Sequence, residues 1–399
     1  MERTISLASH SDCTGCSACY AVCPRYCIQM HMDGFFSYPV IDEEKCVNCG
    51  LCMKACPAVS GESKQEAVYE QKYYAAWIKD TAVRRESTSG GIGSALAETA
   101  ISNGWYVCGA AFDEKWGLSH KVVSVKGDIS MLRGSKYLQS ETAEAFQEVK
   151  SILKRGDKVL FIGTPCQVDG VQRIVPESLK EQLYTCAIIC HGVNSPVVWK
   201  DYVSYLEARH NSNLEQYNFR SKSHGWGQNS RGSGKLYIDY SFKNGRKKDE
   251  PAWKNLFHVW FGQHFMLRES CFNCRYRVQQ RMADITIGDF WGLSQVNPEL
   301  LDSDGVSVAI TSSLRGDRII SECSLIVAKE VLPEKTIPVL KGFIEKRSQD
   351  LRNLELKRRL EFEALYEKNG FDYMSRLHPC PSLWDKIKVF LKHHLHLKG

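Results

Sequence analysis

The sequence has little excess charge of either sign. Its 399 residues include 52 Lys and Arg and 46 Asp and Glu, which gives a net charge of +6. A charge this mild is not typical of nucleic-acid-binding proteins, although it suits an anionic cofactor or an acidic redox partner. We therefore expect no nucleic-acid partner.

Long apolar runs are also lacking. No segment is apolar over the length needed to span a bilayer, and residues 1–11 do not have the basic-then-apolar layout of a signal peptide. We therefore expect a cytoplasmic protein, in which thiols stay reduced. The chain is 43% apolar and 25% charged, as in ordinary globular proteins, and it is long enough for two or three domains.

Cysteine, by contrast, is abundant. Eight of the 17 cysteines fall in two tight runs, and the repetition of this run is the one internal repeat in the sequence. The runs are Cys13, Cys16, Cys19 and Cys23 before Pro24, and Cys46, Cys49, Cys52 and Cys56 before Pro57. This C-x2-C-x2-C-x3-C-P spacing is typical of bacterial ferredoxins. It predicts two [4Fe–4S] clusters on a ferredoxin-like module at residues 1–60.

The same spacing predicts how the thiolates are shared between the clusters. Three cysteines in one turn hold one cluster, and the fourth, a helical turn further on, ligates the other cluster. We therefore expect Cys56 to complete the first site and Cys23 the second. The alternative is two zinc sites, but these usually use paired knuckles and not a triple run. Cys27 is left over, and we expect it to pack as a small apolar residue.

Strand and helix patterns alternate after a polar linker at residues 60–71. The predicted strands are Tyr73–Ile78, Trp105–Phe112, Lys158–Ile162 and Leu183–Ile189. This alternation predicts an α/β domain with a mainly parallel sheet. Beyond residue 191 we expect a helix that opens at Ser195-Pro196, a hairpin that turns at Asn244-Gly245, and a mostly helical C-terminal third.

Three short motifs predict an anion site at the edge of this domain. Ser87-Thr88-Ser89-Gly90-Gly91 precedes a predicted helix, and hydroxyls and glycines at a helix N-terminus suit phosphate. Gly134-Ser135-Lys136-Tyr137 adds a cation and a ring. Gly163-Thr164-Pro165-Cys166-Gln167 follows a buried strand, where α/β sheets bind ligands. Taken singly, each motif also suits a tight turn or a helix cap, and Lys136 also suits a solvated surface position.

These motifs and three later ones occur in an order that resembles the family of beta subunits of coenzyme F420 hydrogenases and dehydrogenases. The later motifs are Cys190-His191-Gly192, Phe219-Arg220-Ser221-Lys222 and Ala283-Asp284-Ile285-Thr286-Ile287-Gly288-Asp289. The resemblance covers about residues 73–345, and many family members carry the ferredoxin module in front. It implies FAD bound by the α/β domain and supplied with electrons by iron–sulfur clusters. The residues expected to bind FAD are Ser87, Thr88, Ser89, Gly90, Gly91, Gly134, Ser135, Lys136, Tyr137, Gly163, Thr164 and Gln167.

Four further cysteines predict a third cluster. Cys271 and Cys274 form a two-ligand knuckle, while Cys166 and Cys190 each follow a predicted buried strand. If those strands are parallel, both thiols reach the crevice where we expect FAD, and the resemblance supports a cluster held by cysteines in these motifs. Two alternatives stay open. Cys271 and Cys274 could hold zinc, or Cys166 and Cys190 could be core residues, with Cys166 a redox thiol near the flavin.

The expected fold class is α+β and α/β. A small ferredoxin-like two-cluster domain at residues 1–60 precedes an α/β flavin-binding domain and a mixed, helix-rich C-terminal region. The resemblance places the family's N-terminal domain at residues 73–155 and its C-terminal domain at 156–345, which leaves a helical tail at 346–399. In that tail, an apolar face from Trp384 to Leu395 is surrounded by lysines. It suits a membrane surface or a partner, but we favour docking on the chain's own domain.

The expected function is that of an iron–sulfur flavoprotein oxidoreductase. It would pass electrons between [4Fe–4S] clusters and FAD, exchange them with a redox partner protein, and reduce or oxidise an organic substrate or a deazaflavin-type cofactor. The alternative is a non-catalytic electron-relay subunit. The loop Asn218–Gln228 separates the two, because an enzyme needs it to line an open pocket. His191 is expected to be structural and not a proton donor.

Overall fold

The computed structural model describes residues 5–61, 69–226 and 236–381. Its N-terminal module consists of a two-stranded antiparallel hairpin and short helices that follow the cysteine runs. In chain order these elements are α1 Ala18–Val22, β1 Ile28–Asp33, β2 Phe36–Ile41, α2 Leu51–Ala55 and α3 Pro57–Ser60.

Strands and helices alternate over much of residues 69–226. In chain order they are β3 Lys72–Ile78, α4 Thr81–Glu86, α5 Ile92–Ser102, β4 Tyr106–Phe112, β5 Leu118–Val123, α6 Ile129–Leu132, α7 Ala143–Lys154, β6 Val159–Gly163, α8 Pro165–Ile174, β7 Leu183–Ile188, α9 Pro196–His210 and β8 Leu214–Ser221. The helix expected at Ser195-Pro196 is α9, and Ser195 caps it by accepting a hydrogen bond from the Val198 amide.

The remaining described residues add a second hairpin, further strands and a long final helix. In chain order these elements are β9 Tyr237–Phe242, β10 Lys247–Pro251, α10 Leu256–Gly262, β11 Ile285–Asp289, α11 Leu293–Val296, β12 Ser307–Thr311, α12 Leu314–Glu322, β13 Ile326–Val331, α13 Pro333–Ile344 and α14 Gln349–Leu377. The expected turn at Asn244-Gly245 joins β9 to β10. Residues 384–395, and residues 227 and 228 of the loop discussed above, lie outside the described residues.

An eight-stranded mixed sheet forms the centre of the molecule, in the order β13-β3-β12-β11-β7-β6-β4-β5. The four strands β11, β7, β6 and β4 are parallel, and every other pairing in the sheet is antiparallel. The prediction of a mainly parallel sheet is therefore right only for this central part. Local alternation could not show that β3 pairs with β12 and β13, which lie far along the chain. Strands from residues 73–155 and from 156–345 share this one sheet.

An aromatic core attaches the N-terminal module to the rest of the chain. Phe35 and Phe36, beside the hairpin turn, are each 1% exposed and belong to a buried cluster with Trp199, Phe219 and Phe362. The backbone at Phe35 is held from both sides, because its amide donates to the Glu363 carboxylate at 2.8 Å and its carbonyl accepts from the Ser195 hydroxyl at 3.0 Å. In the described part of the chain, no helix has the length and apolarity that crossing a membrane requires.

Close packing at the start of β11 predicts a stability difference between two helical glycines. A Cβ built on Gly316 in α12 lies 2.0 Å from the Asp284 carbonyl oxygen, whereas one built on Gly342 in α13 meets nothing within 4 Å. We expect Gly316→Ala to destabilise the fold by about 1–3 kcal/mol through overpacking. Gly342→Ala should stabilise it by up to about 1 kcal/mol through helix propensity. Chemical denaturation measures both changes, and equal effects would contradict the packing described at Asp284.

Candidate functional site

The eight thiols of the N-terminal module lie in two groups of four that cross the two cysteine runs. Cys13, Cys16, Cys19 and Cys56 line one cavity, which we call the inner thiol cavity. Cys23, Cys46, Cys49 and Cys52 line a second, which we call the outer thiol cavity. Each run therefore supplies three thiols to one cavity and its last thiol to the other.

The backbone of the two runs repeats the same conformation. Gly15 and Asn48 occupy matching positions and both have positive φ, as do Ser17 and Gly50 two residues later in each run. Left-handed residues at these positions turn successive amide groups toward one side, which makes a concave site for negative charge. Both runs thus form the kind of turn that suits an anionic cluster.

The two cavities differ in their exposure to solvent. Burial raises the pKa of the Cys16 thiol to about 12 and that of Cys19 well above its usual value. In the outer thiol cavity, Cys49 is exposed and Cys46 is half-buried. The outer thiol cavity therefore faces water, and the inner one faces the remainder of the chain.

Cys27 adds a fifth thiol to the lining of the outer thiol cavity. It is 4% exposed, and its Sγ lies 3.3 Å from the Sγ of Cys23. It is buried, as we expected from the sequence, but its place next to a candidate ligand was not predicted.

A third group of thiols lies at the carboxyl edge of the large sheet. Cys166 lies in the first turn of α8, just after β6, and Cys190 follows β7. Together with Cys271 and Cys274 they line one cavity, which we call the third thiol cavity. Burial raises the pKa of Cys166 to about 12 and that of Cys271 to about 11.

Arginine side chains line the same cavity. Arg277 and Arg281 are each 7% exposed. The Nε of Arg277 and the Nε and Nη2 of Arg281 have no hydrogen-bond acceptor among the described residues. Buried donors of this kind fit an anionic group next to the thiols.

His191 also lines the third thiol cavity, but its contacts suit a structural role. Its Nε2 lies 2.7 Å from the Nε2 of His264, and burial lowers its pKa to about 4.

Helix α8 lies between the inner and third thiol cavities. A Cβ built on Gly170 of this helix lies 3.2 Å from the Sγ of Cys16, so the helix packs directly on the inner cavity. The pKa of Cys16 is raised by burial first and then by the neighbouring charge of Cys166. The two cavities are therefore neighbours inside the protein.

Another cavity of about 1280 Å³, counted to its opening, lies at the same sheet edge, and we call it the edge cavity. Of the residues predicted to bind FAD, all except Gly90 line it. The three predicted motifs, which are distant in sequence, are thus brought together. The ends of β7 and β11 complete the wall with Ile188, Gly288 and Asp289.

Gly90 packs on the sheet and does not line the edge cavity. A Cβ there would lie 2.2 Å from the Ala76 carbonyl oxygen, and the Gly90 amide donates to the Ser307 hydroxyl at 2.9 Å. The close packing of its loop on β3 and β12 therefore by itself requires a glycine at position 90. A larger side chain at this position would disturb the sheet itself.

Helix α5 begins at the edge cavity with an uncapped N-terminus. Its N-cap residue, Gly91, has no side chain that could accept hydrogen bonds from the first amide groups of the helix. Gly93 and Ser94, in the first turn, line the cavity. The Thr88 hydroxyl accepts a hydrogen bond from the Ser135 amide at 2.8 Å, which ties the first two motifs together. Free amides at a helix N-terminus favour an anion.

Two of the predicted polar residues are engaged within the protein. The Lys136 ammonium donates to the carbonyls of Leu132, Arg133 and Gly134 at 3.1, 2.7 and 3.3 Å, and burial lowers its pKa to about 7. Gln167 caps α8, because its Oε1 accepts from the Thr164 amide at 3.0 Å. Both residues line the cavity, but their polar groups position its walls.

The Phe219-Arg220-Ser221-Lys222 motif supports the cavity from behind. The Arg220 guanidinium donates to the Asp289 carboxylate at 2.6 Å and to the Tyr137 hydroxyl at 3.2 Å. The Lys222 ammonium donates to the carbonyls of Ser89 and Arg84, each at 2.5 Å. None of the four motif residues lines the edge cavity. They hold in place residues that do.

Sequence reasoning missed several polar residues of the edge cavity, of which His120 and Arg133 carry ionisable side chains. His120 lies in β5, where its Nε2 donates to the Ile162 carbonyl at 3.1 Å and its Nδ1 accepts from the Ser140 hydroxyl at 3.0 Å. Burial lowers its pKa to about 4, so the ring is neutral. Arg133 also lines the cavity, and its Nε has no acceptor among the described residues. Only its position beside Gly134 could have drawn attention to it.

Comparison with known protein families identifies two kinds of domain. A model of the C terminus of the coenzyme F420 hydrogenase/dehydrogenase beta subunit matches residues 156–335, and the model of its N-terminal part matches residues 73–147. Two models of 4Fe–4S dicluster domains match residues 12–59 and 38–86.

Individual proteins are similar over shorter stretches. The F subunit of the F420H2 dehydrogenase of Methanosarcina mazei is 27% identical over 191 residues, which is 45% of this chain and 53% of that protein. An uncharacterized protein of Methanocaldococcus jannaschii is 27% identical over 197 residues, 41% of this chain and 52% of that protein. The chain therefore spans about half the length of these relatives.

Among solved structures, a chain of the F420-reducing [NiFe] hydrogenase complex from Methanosarcina barkeri is similar at 18% identity. The match covers 77% of this chain and 94% of that chain, with a TM-score of 0.42.

The outer thiol cavity predicts different outcomes for two of its thiols. Cys49→Ser removes a candidate ligand, so we expect a loss of about 4 iron atoms per chain, one cubane. Cys27→Ser changes the extra thiol in the same cavity and should leave the iron content unchanged. Iron and sulfide assays after anaerobic reconstitution measure both. If Cys27→Ser lost iron and Cys49→Ser did not, the ligand set would be wrong.

Proposed function

Since the chain belongs to the family of coenzyme F420 hydrogenase/dehydrogenase beta subunits, we propose that it is an iron–sulfur flavoprotein oxidoreductase. Its dicluster domains make it an iron–sulfur electron-transfer protein. The proposal adds that electrons pass between [4Fe–4S] clusters and FAD. It further adds that the protein thereby reduces or oxidises an organic substrate or a deazaflavin-type cofactor.

The observation that carries the proposal is the position of the first turn of α8. Thr164 lines the edge cavity, and Cys166, two residues later, lines the third thiol cavity. The Thr164 hydroxyl and the Cys166 thiol are 3.1 Å apart. A group bound in one cavity is therefore separated from a group in the other by a single turn of helix.

The residues of the edge cavity fit FAD. The diphosphate would be held by the free amides at Gly93 and Ser94, with Arg133 supplying an unpaired buried N–H group. Thr88 and Ser135 would add hydroxyls, and Tyr137 an aromatic ring. When bound, FAD supplies the exchange between one-electron transfer and hydride transfer. The protein's own residues bind and orient it, and Arg220 and Lys222 fix the walls around it.

The three groups of thiols fit cubane clusters better than single metal ions. We assign Cys13, Cys16, Cys19 and Cys56 to one cluster, Cys23, Cys46, Cys49 and Cys52 to the second, and Cys166, Cys190, Cys271 and Cys274 to the third. In the N-terminal module, three thiols from one turn and a fourth from the other run line each cavity. This is the arrangement of bacterial cubane sites, whereas zinc sites usually use paired knuckles.

A redox partner protein completes the proposal. The relative from Methanosarcina mazei is part of a dehydrogenase by name, and the outer thiol cavity of this chain faces solvent through Cys49. We propose that the partner exchanges electrons there. The same observations favour a second candidate, a relay protein that transfers electrons to a partner and converts no small molecule itself.

A charge change at the α5 N-terminus tests the flavin. Gly93→Asp places a carboxylate among the amides proposed to hold the diphosphate, and should abolish FAD binding while the helix tolerates an acidic first turn. Gly93→Asn, of the same size but neutral, should retain most of the FAD. Flavin and iron per chain are measured, and so is reduction of a deazaflavin by the dithionite-reduced protein.

Three results would count against parts of this proposal. Full FAD occupancy in Gly93→Asp would refute the phosphate site. Equal loss in Gly93→Asn would show that the effect is not electrostatic. A wild-type chain that binds FAD but reduces no deazaflavin or other small molecule would favour the relay protein.

The third cluster is tested by iron counting. Three cubanes require about 12 iron atoms per chain and two require about 8. We expect the wild-type chain to reach about 12, and Cys274→Ser to fall to about 8. Cys323→Ser, a buried thiol 4% exposed in another part of the core, should not change the count. A wild-type chain that saturates at about 8 iron atoms and also binds zinc would refute the third cluster.

A further inference from the structure

Arg268 is fully buried between two groups of thiols. Its exposure is 0%, its Nη2 donates to the Sγ of Cys13 at 3.5 Å, and its Nε donates to the Cys13 carbonyl at 2.7 Å. Its carbonyl accepts a hydrogen bond at 3.0 Å from the amide of Cys271, a thiol residue of the third thiol cavity. Burial raises the pKa of the Cys166 and Cys271 thiols, and the charge of Arg268 opposes this effect. The guanidinium thus touches the inner thiol cavity, and its charge acts on the third.

The other contacts of Arg268 are with neutral groups. Its guanidinium donates to the Gln139 side chain at 2.8 Å and to the Ser37 carbonyl at 3.0 Å. It also stacks over the ring of Tyr38, 4.3 Å from its centroid. Among the described residues no carboxylate lies within ion-pair distance of it. By contrast Arg359, which is 1% exposed, pairs with Glu363 at 2.5 Å.

A buried cation without a carboxylate is costly unless another anion balances it. A cubane with four thiolate ligands is such an anion, and it gains one further negative charge when it is reduced. A nearby fixed cation therefore favours the reduced form, since the net charge and hydrogen bonds around a cluster set its potential.

We propose that Arg268 supplies the positive charge that balances both the inner and the third cluster. By raising the reduction potentials of both, it draws electrons from the outer cluster inward. The inference rests on the cluster ligands assigned under the proposed function.

Burial explains why such a cation is needed. Water at the outer thiol cavity stabilises added negative charge, whereas the inner and third cavities are desolvated, and desolvation disfavours the more highly charged form. If burial were the sole influence, the inner and third clusters would be harder to reduce than the outer cluster, and electrons would stay at the surface. The buried guanidinium opposes this effect.

The distribution of cations agrees with an inward direction. Arg25 lines the outer thiol cavity but is exposed to water, which weakens its field. The inner cavity has Arg268 in direct contact. The third is lined by Arg277 and Arg281, which have unpaired donors, and the charge of Arg268 also acts on its thiols Cys166 and Cys271. Buried positive charge therefore increases along the route from the surface to the edge cavity.

The test is a redox titration of the reconstituted full chain, followed by the electron paramagnetic resonance of each reduced cluster. At a fixed solution potential, we expect Arg268→Met to lower the ratio of reduced to oxidised inner cluster about tenfold, which is about 59 mV for one electron. The third cluster should shift the same way and the outer cluster should not. Arg268→Lys keeps the charge and should stay near the wild type.

Two further variants separate charge from structure. Arg359→Met combined with Glu363→Gln removes an equally buried arginine together with its carboxylate partner, so the net charge is unchanged and all three potentials should stay the same. Gln139→Glu places a carboxylate against Arg268 without removing it, and should reproduce the downward shift. If the Arg268→Met chain does not retain its iron, the cluster potentials of Gln139→Glu test the proposal in its place.

Unchanged potentials in Gln139→Glu or Arg268→Met chains with full iron content would overturn the proposal. An equal shift in the Arg359→Met, Glu363→Gln double variant would also overturn it. A wild-type chain without the third cluster would instead contradict the proposed function, and the inner cluster would still test the role of Arg268.

Discussion

The parallel pairing of β6, β7 and β11 aligns the ends of three strands along one edge of the large sheet. Thr164 and Cys166 follow the first strand, Cys190 follows the second, and Asp289 ends the third. Because these ends must lie side by side, residues far apart in sequence form two adjoining cavities. Helices α5 and α6 line the edge cavity, and the N-terminal module adjoins the third thiol cavity.

Buried cations serve two purposes near this edge. Lys136 and Lys222 direct their ammonium groups at backbone carbonyls, and so fix the loops that surround the edge cavity. Arg268, Arg277 and Arg281 instead lie by the thiols: Arg268 donates to the Cys13 thiol, and three donors of Arg277 and Arg281 have no partner among the described residues. The first group shapes a binding site. The second group sets the electrostatic potential where negative charge is proposed to move.

The parts of the site that could be predicted from sequence are those fixed by short-range spacing. The two cysteine runs are an example, because a local turn determines which thiols face together. The motif at Gly163–Gln167 was placed correctly at a strand end because a buried apolar run precedes it. The contact of Gly90 with the sheet backbone was not predicted, nor was the contact of the Lys136 ammonium group with carbonyls at the end of α6. Arg268 was not noticed, because its importance depends on Cys13, Gln139 and Ser37, which approach it only in the folded chain.

The hydrogen bonds that hold the N-terminal module come from residues made much later during translation. The Cys16 carbonyl accepts from Thr142 at 2.9 Å, the Cys13 carbonyl from Arg268, and the Phe35 amide donates to Glu363. A ribosome delivers the chain from its N-terminus, so the module exists for some time without these contacts. During that interval the inner thiol cavity is still open to the surroundings. The inner thiol cavity is therefore closed only when these later segments have folded onto the module.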